Sequence, residues 1–246
     1  MVKLWAVTDI GLVRRENQDA YAAVQETPTG HTICVVCDGM GGPAGGKLAS
    51  RIAVDTFTSE LEKALSSEMT PEQLRDASAY AVSLANNAIC EAAKELEEYR
   101  NMGTTLVAAV VRENEAVITN IGDSRAYHIC ESGIRRITRD HSLVERMVEH
   151  GDITAEEARY HPSRNLITRA LGPDSNAESD GFFCPLQPGE FLLLCTDGLS
   201  GTVTDQEMLF EVIHGEDHDT CLARLLEIAK SQGAPDNVTA VLMRNL

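Results

Sequence analysis

The sequence has no apolar run near the roughly 18 residues that a membrane-spanning helix requires, which excludes such a helix. Its opening, MVKLWAVTDIGLV, carries one early lysine but only a short apolar stretch and no small-residue cleavage site. No signal peptide is therefore expected. Basic residues are scarce: 21 Lys+Arg stand against 38 Asp+Glu, a formal net charge of −17. A field of that sign repels a phosphate backbone and argues against nucleic acid or an acidic membrane as a partner. An anionic ligand would have to be met by a local cation or a metal. There is no linker and no low-complexity tract, so residues 1–246 are expected to form one domain. Nor is there a disulfide framework. The 7 cysteines are odd in number and mostly lie in apolar runs, as buried thiols do in a reducing compartment such as the cytoplasm. Cys34 and Cys37 form C-x-x-C, but within TICVVCDG they would lie on a strand. Residues three apart on a strand face opposite sides, which argues against a shared zinc or a disulfide.

What the chain does have is alternating order. VKLWAVTDIG, DAYAAVQE and HTICVVCDG read as strands. Leu48, Ile52, Phe57, Leu61 and Leu65 form a helical stripe. A second helix is expected from Thr70 as N-cap, with Pro71 at its first position and Gln73 completing a capping box. Its apolar stripe extends to Leu96. Strands TTLVAAVVR, EAVITNIG, SRAYHIC and GIRRIT follow, with turns at Glu113-Asn114 and Ser132-Gly133. Residues 139–180 read as an excursion with a short helix ending at Gly151 and another starting at Thr154, a segment of the size that often carries function. The strand EFLLLCTDG, two helices and the strand NVTAVLMR close the chain. This is not strict βαβα alternation, so α+β layers are predicted.

Two segments resemble each other: ICVVCDGMGG and FLLLCTDGLSG are each an apolar strand followed by Asp-Gly. A buried strand projects its terminal carboxylate from a rigid base. Asp123 ends a third strand, while Asp236 and Asp19 begin two others. A single Asp-Gly is most often a hairpin turn, but five strand-end aspartates are harder to dismiss. Clustered carboxylates repel one another unless cations lie between them. An all-oxygen set suits Mg²⁺ or Mn²⁺ rather than zinc. Two such ions about 4 Å apart can activate water and clamp a phosphoryl group.

TDIGLVRRENQDAY, VCDGMGGPAGGKLAS, MGTTLVAAVV, NIGDSRAY, RDHS, LLLCTDGLSG and GAPDNVTAVL, in this order, resemble the successive motifs of the metal-dependent protein phosphatase (PPM, type 2C) family, bacterial serine/threonine branch. The resemblance spans Thr8 to Leu242. It implies a four-layer α-β-β-α sandwich of two antiparallel sheets flanked by helix pairs, with the 139–180 excursion as a flap. It further implies hydrolysis of phosphoserine and phosphothreonine in proteins by a water or hydroxide bridging two Mn²⁺ or Mg²⁺ ions. By the same resemblance Asp38 bridges the ions, the Gly39 carbonyl binds the second, and Asp197 and Asp236 complete the ligands of the first. Asp19 acts through metal-bound water, Asp123 holds a third ion with Asp197, and Arg14 grips the substrate phosphate. Arg15 is out of register, and Arg125 is expected to be a structural ion-pair partner. The implied partners are phosphoprotein substrates and an opposing serine/threonine kinase, with the enzyme a cytoplasmic monomer.

One departure matters. Many relatives carry a histidine, a candidate general acid, where this chain has Met40, and a thioether donates no proton. His161 in the flap is the candidate substitute, although a surface histidine without chemical duty is the preferred reading. Two rival functions remain. Gly41 through Lys47 fits the G-x-x-x-x-G-K phosphate loop of an NTPase, but Leu48 replaces the hydroxyl that binds Mg²⁺. A non-catalytic phosphoprotein-binding relative would be expected to have lost a metal aspartate, and this chain keeps all of them.

Overall fold

The computed structural model describes residues 1–42, 45–215 and 217–246. Elements are numbered from the N-terminus. One antiparallel sheet has the order β1 (Val2–Asp9), β12 (Val238–Asn245), β11 (Phe191–Cys195), β8 (Arg125–Cys130) and β9 (Gly133–Arg136). The other has the order β10 (Asp180–Pro185), β7 (Glu115–Ile121), β6 (Leu106–Arg112), β3 (Thr32–Cys37) and β2 (Ala20–Val24). A two-stranded ribbon pairs β4 (Gly39–Met40) with β5 (Gly103–Thr104). Helices α1 (Gly45–Ala64) and α2 (Pro71–Ala92) cover the second sheet, while α6 (Asp205–His214) and α7 (His218–Ser231) cover the first. The excursion carries α3 (Leu143–His150) and α4 (Ala155–Tyr160), and the short α5 (Asp197–Ser200) follows β11. The α-β-β-α sandwich is as expected. No helix among the described residues is long and apolar enough to cross a membrane.

The unbroken apolar runs have a simple cause: the central strands are buried on both faces. In β3, Ile33, Val35 and Cys37 face the helices, while Cys34 and Val36 face the other sheet. In β11, Phe191, Leu193 and Cys195 face α6 and α7, while Leu192 and Leu194 point between the sheets. Burying each such Val or Leu side chain contributes about 1.5–3 kcal/mol. Cys34 and Cys37 thus lie in different cores, as the strand reading required.

Local signals set most boundaries. Thr70, Thr154 and Thr204 all make capping boxes, with Gln73, Glu157 and Glu207. Gly151 closes α3 in the left-handed conformation at φ 78°. One expectation needs correction, and one strand went unread. The second helix ends at Ala92 and leaves Leu96 exposed, because the chain turns there to insert Met102 into the core. Strand β10 begins where the excursion was expected to end. It is an edge strand with one half-exposed face, and Pro185 limits it without disturbing an interior ladder. At the end of the sandwich carrying the β6–β7 hairpin, Asn245 Nδ2 donates to the Glu113 and Leu186 carbonyls, pinning β12 of one sheet to loops of the other.

Candidate active site

Strand register brings the five aspartates to one end of the sandwich. Ala20 pairs with Cys37, so Asp19, just before β2, lies beside Asp38, just after β3. Cys195 pairs with Ala240, which places Asp197 at the start of α5 beside Asp236 in the turn before β12. Leu106 pairs with Ile121 at the same end, and Asp123 follows that strand. Each sheet therefore supplies part of one cluster across the sandwich.

Buried hydroxyls fix the aspartates from below. The Asp38 N–H donates to Thr105 Oγ1 at 2.9 Å, and the Asp38 carbonyl accepts from Thr104 Oγ1 at 2.8 Å. Thr105 Oγ1 lies 2.7 Å from Ser124 Oγ, joining the Asp38 strand to the Asp123 turn. Thr196 Oγ1 donates to Asp19 Oδ2 at 3.0 Å, and the Thr239 N–H donates to Thr196 Oγ1. His141 Nδ1 accepts the Gly122 N–H at 3.1 Å, while its Nε2 faces Asp180 Oδ2 at 3.2 Å. That ties the Asp123 turn to the end of the excursion.

The glycine after each of the two repeated aspartates has one reason: close approach. A Cβ on Gly39 would collide with the Gly46 carbonyl, and one on Gly198 with the Asn237 carbonyl. Asn237 is a residue that sequence reasoning missed. Its side chain donates to the Ile10 and Glu16 carbonyls and accepts from the Gln18 N–H, lashing the loop that carries Arg14 to the Asp236 turn. The available signal is its place in GAPDNVT, directly after Asp236. Arg14, not Arg15, lies against the cluster. Its Nη2 donates to Asp236 Oδ2 at 2.6 Å while half the side chain stays exposed. Arg125 is the expected structural partner, its guanidinium bound through Nε and Nη2 to both oxygens of buried Asp140. Met40 lies in the ribbon opposite Gly103. His161 Nδ1 accepts the Ser163 N–H, a local flap contact.

Burial, then mutual repulsion, pushes the Asp38 carboxyl well above the usual range, with Asp19, Asp197, Asp123 and Asp236 all acting on it. Asp123 is likewise raised by burial and Asp197, and Asp197 by burial and Asp236. Burial pushes Asp19 up to about 7. One oxygen each of Asp19 and Asp197 is buried without a hydrogen-bond partner. Orphaned, mutually repelling oxygens are what a hard divalent cation satisfies, so the donor set fits Mg²⁺ or Mn²⁺.

The linkage has a definite sign. These native carboxyls hold protons that the unfolded chain releases above about pH 4, so their contribution to metal-free stability falls as pH rises. His31 and His218, which burial pushes down, oppose that trend. The difference between metal-loaded and metal-free protein cancels the histidines. The rise in melting temperature on adding saturating Mn²⁺ is expected to grow between about pH 5 and about pH 7, as the ions displace fewer protons. A pH-independent rise would contradict this reading of the cluster.

Such a donor set is that of a protein that holds hard divalent cations. The protein phosphatase 2C family profile matches residues 14–243. The serine/threonine phosphatase stp of Listeria innocua is 36% identical over 245 residues, covering 97% of this chain and 94% of that protein. The crystal structure of the serine/threonine phosphatase Stp1 from Staphylococcus aureus superposes with a TM-score of 0.93 at 35% identity, covering 100% of this chain and 96% of that one. The catalytic domain of the serine/threonine protein phosphatase PstP, in complex with 2 manganese ions, gives 0.84 at 32% identity, covering 99% and 97%. The chain belongs to the protein phosphatase 2C family and is a protein serine/threonine phosphatase. The NTPase reading is not favoured. Lys47 pairs with Glu16 at 2.9 Å, and Pro43 and Ala44 of the supposed phosphate loop lie outside the described residues.

Proposed function

We propose that this phosphatase works through two Mn²⁺ or Mg²⁺ ions held by Asp38, the Gly39 carbonyl, Asp197 and Asp236, with Asp19 acting through water. The observation that carries the reading is the convergence of raised, partly orphaned carboxylates from both sheets. Bound there, the ions would supply a nucleophile from water at neutral pH and neutralise charge on the phosphoryl oxygens. The protein's part is to hold the carboxylates rigidly on buried strands and to present Arg14 at the mouth. In the resting arrangement Arg14 leans on Asp236, and a phosphate oxygen would compete for the same guanidinium. The test is hydrolysis of a phosphothreonine peptide with Mn²⁺ and with EDTA. Activity that survives chelation would refute the reading.

Arg14→Ala should raise KM by roughly tenfold or more, since a charge-assisted contact to phosphate is worth about 1.5–3 kcal/mol. Arg15→Ala should leave KM nearly unchanged. The reverse pattern would place the phosphate on the other arginine. Asp123 with Asp197 would hold a third ion, an assignment supported by their mutual repulsion. Asp123→Ala should then lower the Mn²⁺ content at saturation by one ion per chain, measured by equilibrium dialysis, while the melting temperature of the metal-free chain is kept. An unchanged ion content would remove Asp123 from the ligand set. The enzyme's setting, on this reading, is the cytoplasm, where it works as a monomeric domain spanning the chain and opposes a serine/threonine kinase of the bacterial type.

A further inference from the structure

A second group of metal-ligating side chains lies at the opposite end of the sandwich. His128 and Cys130 are two residues apart on β8 and so share a face, while Tyr127 and Ile129 between and beside them point into the core under α6 and α7. Phe191 pairs with Ile129 in the antiparallel β8–β11 ladder, and that register sets Glu190 opposite Cys130. The result is a nitrogen, a sulfur and a carboxylate oxygen that all lie within 4.8 Å of one another. The five steps of β8 from Arg125 to Cys130, at about 3.3 Å each, separate this group from the aspartate end by roughly 16 Å.

We propose that His128 Nε2, Cys130 Sγ and a Glu190 carboxylate oxygen form a site for a thiophilic divalent cation, zinc by donor chemistry, distinct from the catalytic aspartates. Nitrogen, sulfur and oxygen donors are the zinc set, whereas the aspartate cluster offers oxygen alone. A tetrahedral ion with bonds of about 2.0–2.3 Å needs its ligand atoms about 3.3–3.5 Å apart, which the cluster reaches by small side-chain rotations. His128 Nε2 already lies 2.9 Å from Glu190 Oε2, in the position where an ion would replace the shared proton.

The surroundings support ligation. Glu190 Oε2 also accepts the Gln187 N–H at 2.8 Å, which orients the carboxylate. Cys130 Sγ lies 3.0 Å from Ser132 Oγ, a hydroxyl able to donate to a thiolate. Such supporting contacts are typical of ligand residues. Arg135, opposite His128 on β9, directs its charge to Cys184 of the facing sheet, which also senses Glu190. Three protein ligands leave a fourth position for water, so this is an open site that ties the end of β8 to the start of β11.

The experiment uses Co²⁺ as the probe on protein already saturated with Mn²⁺. Sulfur ligation gives a sulfur-to-cobalt charge-transfer absorption that an all-oxygen site cannot give. The expected result is one equivalent of Co²⁺ producing this band in the wild type and in Asp38→Asn, with Zn²⁺ abolishing it. Cys130→Ser and Cys130→Ala should both lose the band, and His128→Gln should weaken Co²⁺ binding by about tenfold or more. No band in the wild type would overturn the proposal. So would a band that survives Cys130→Ser but disappears in Cys184→Ser, or full affinity in His128→Gln.

Discussion

Asp38→Asn is expected to lower phosphothreonine-peptide turnover by about three orders of magnitude or more while leaving the metal-free chain at least as stable as the wild type. Both halves of that expectation come from where the residue's bonds are made. Asp38 is fixed by its main chain: its N–H donates to Thr105, and its carbonyl accepts from Thr104 and from the Thr105 N–H. Asparagine keeps all of these. The side chain, in contrast, faces Asp19, Asp197, Asp123 and Asp236, and each raises its pKa. Without cations that arrangement is repulsive, and a neutral amide relieves it. With cations it is the centre of the ligand set, and an amide is a much poorer bridging group. The measurement pairs Mn²⁺-dependent kinetics with thermal melting in EDTA. Near-normal turnover would end the case for Asp38 as a ligand. A large drop in the EDTA melting temperature would show that the carboxylate is structural.

Asp140→Ala should have the opposite profile, costing about 3 kcal/mol of folding stability. Asp140 is 6% exposed at its side chain and Arg125 26%, and Nη2 of that arginine lies 2.6 Å from Asp140 Oδ2. Truncating Asp140 leaves a largely buried guanidinium whose remaining hydrogen bond, among the described residues, is to the Tyr127 hydroxyl at 3.3 Å. Arg136, 3.6 Å from Asp140 on the other side, loses a partner too. The residual exposure of Arg125 keeps the cost at the low end of the range for broken buried pairs. Guanidinium unfolding measures it, and a loss below about 1 kcal/mol would mean the pair is screened like a surface bridge. The double variant Arg125→Met with Asp140→Leu should recover most of the loss, because the penalty belongs to the orphaned charge.

The sequence declares these two layers of design unequally. The strands were legible because burial on both faces wrote them as unbroken apolar runs, and the aspartates because each ends or begins such a run. Helix starts were legible at Thr70, Thr154 and Thr204, where a cap and its partner lie three residues apart. Strand β10 was not: Gly181 and Phe183 on its outer face give no alternation that separates an edge strand from a loop. The ligand side chains were visible, but their supports were not. Thr105, Ser124, Thr196 and Asn237 act through hydrogen bonds that join residues 19 to 227 positions apart, such as Thr105 to Ser124 and Asn237 to Ile10, and no local pattern encodes such pairings. The His128–Cys130–Glu190 group was hidden for the same reason, since only the register of β8 against β11 brings its members together.

The side chain of Asn245 gives the sandwich a mechanical polarity. At its end the two sheets are riveted by direct hydrogen bonds from β12 to the Glu113 and Leu186 carbonyls. At the other end the sheets meet in like charge, carboxylate against carboxylate. Stripped of cations, the molecule is a book bound firmly along one spine, while at the open edge repelling carboxyls work against the Thr196–Asp19 and Thr105–Ser124 contacts that cross between the pages. An ion binding there would relieve that repulsion, closing the book as well as arming it.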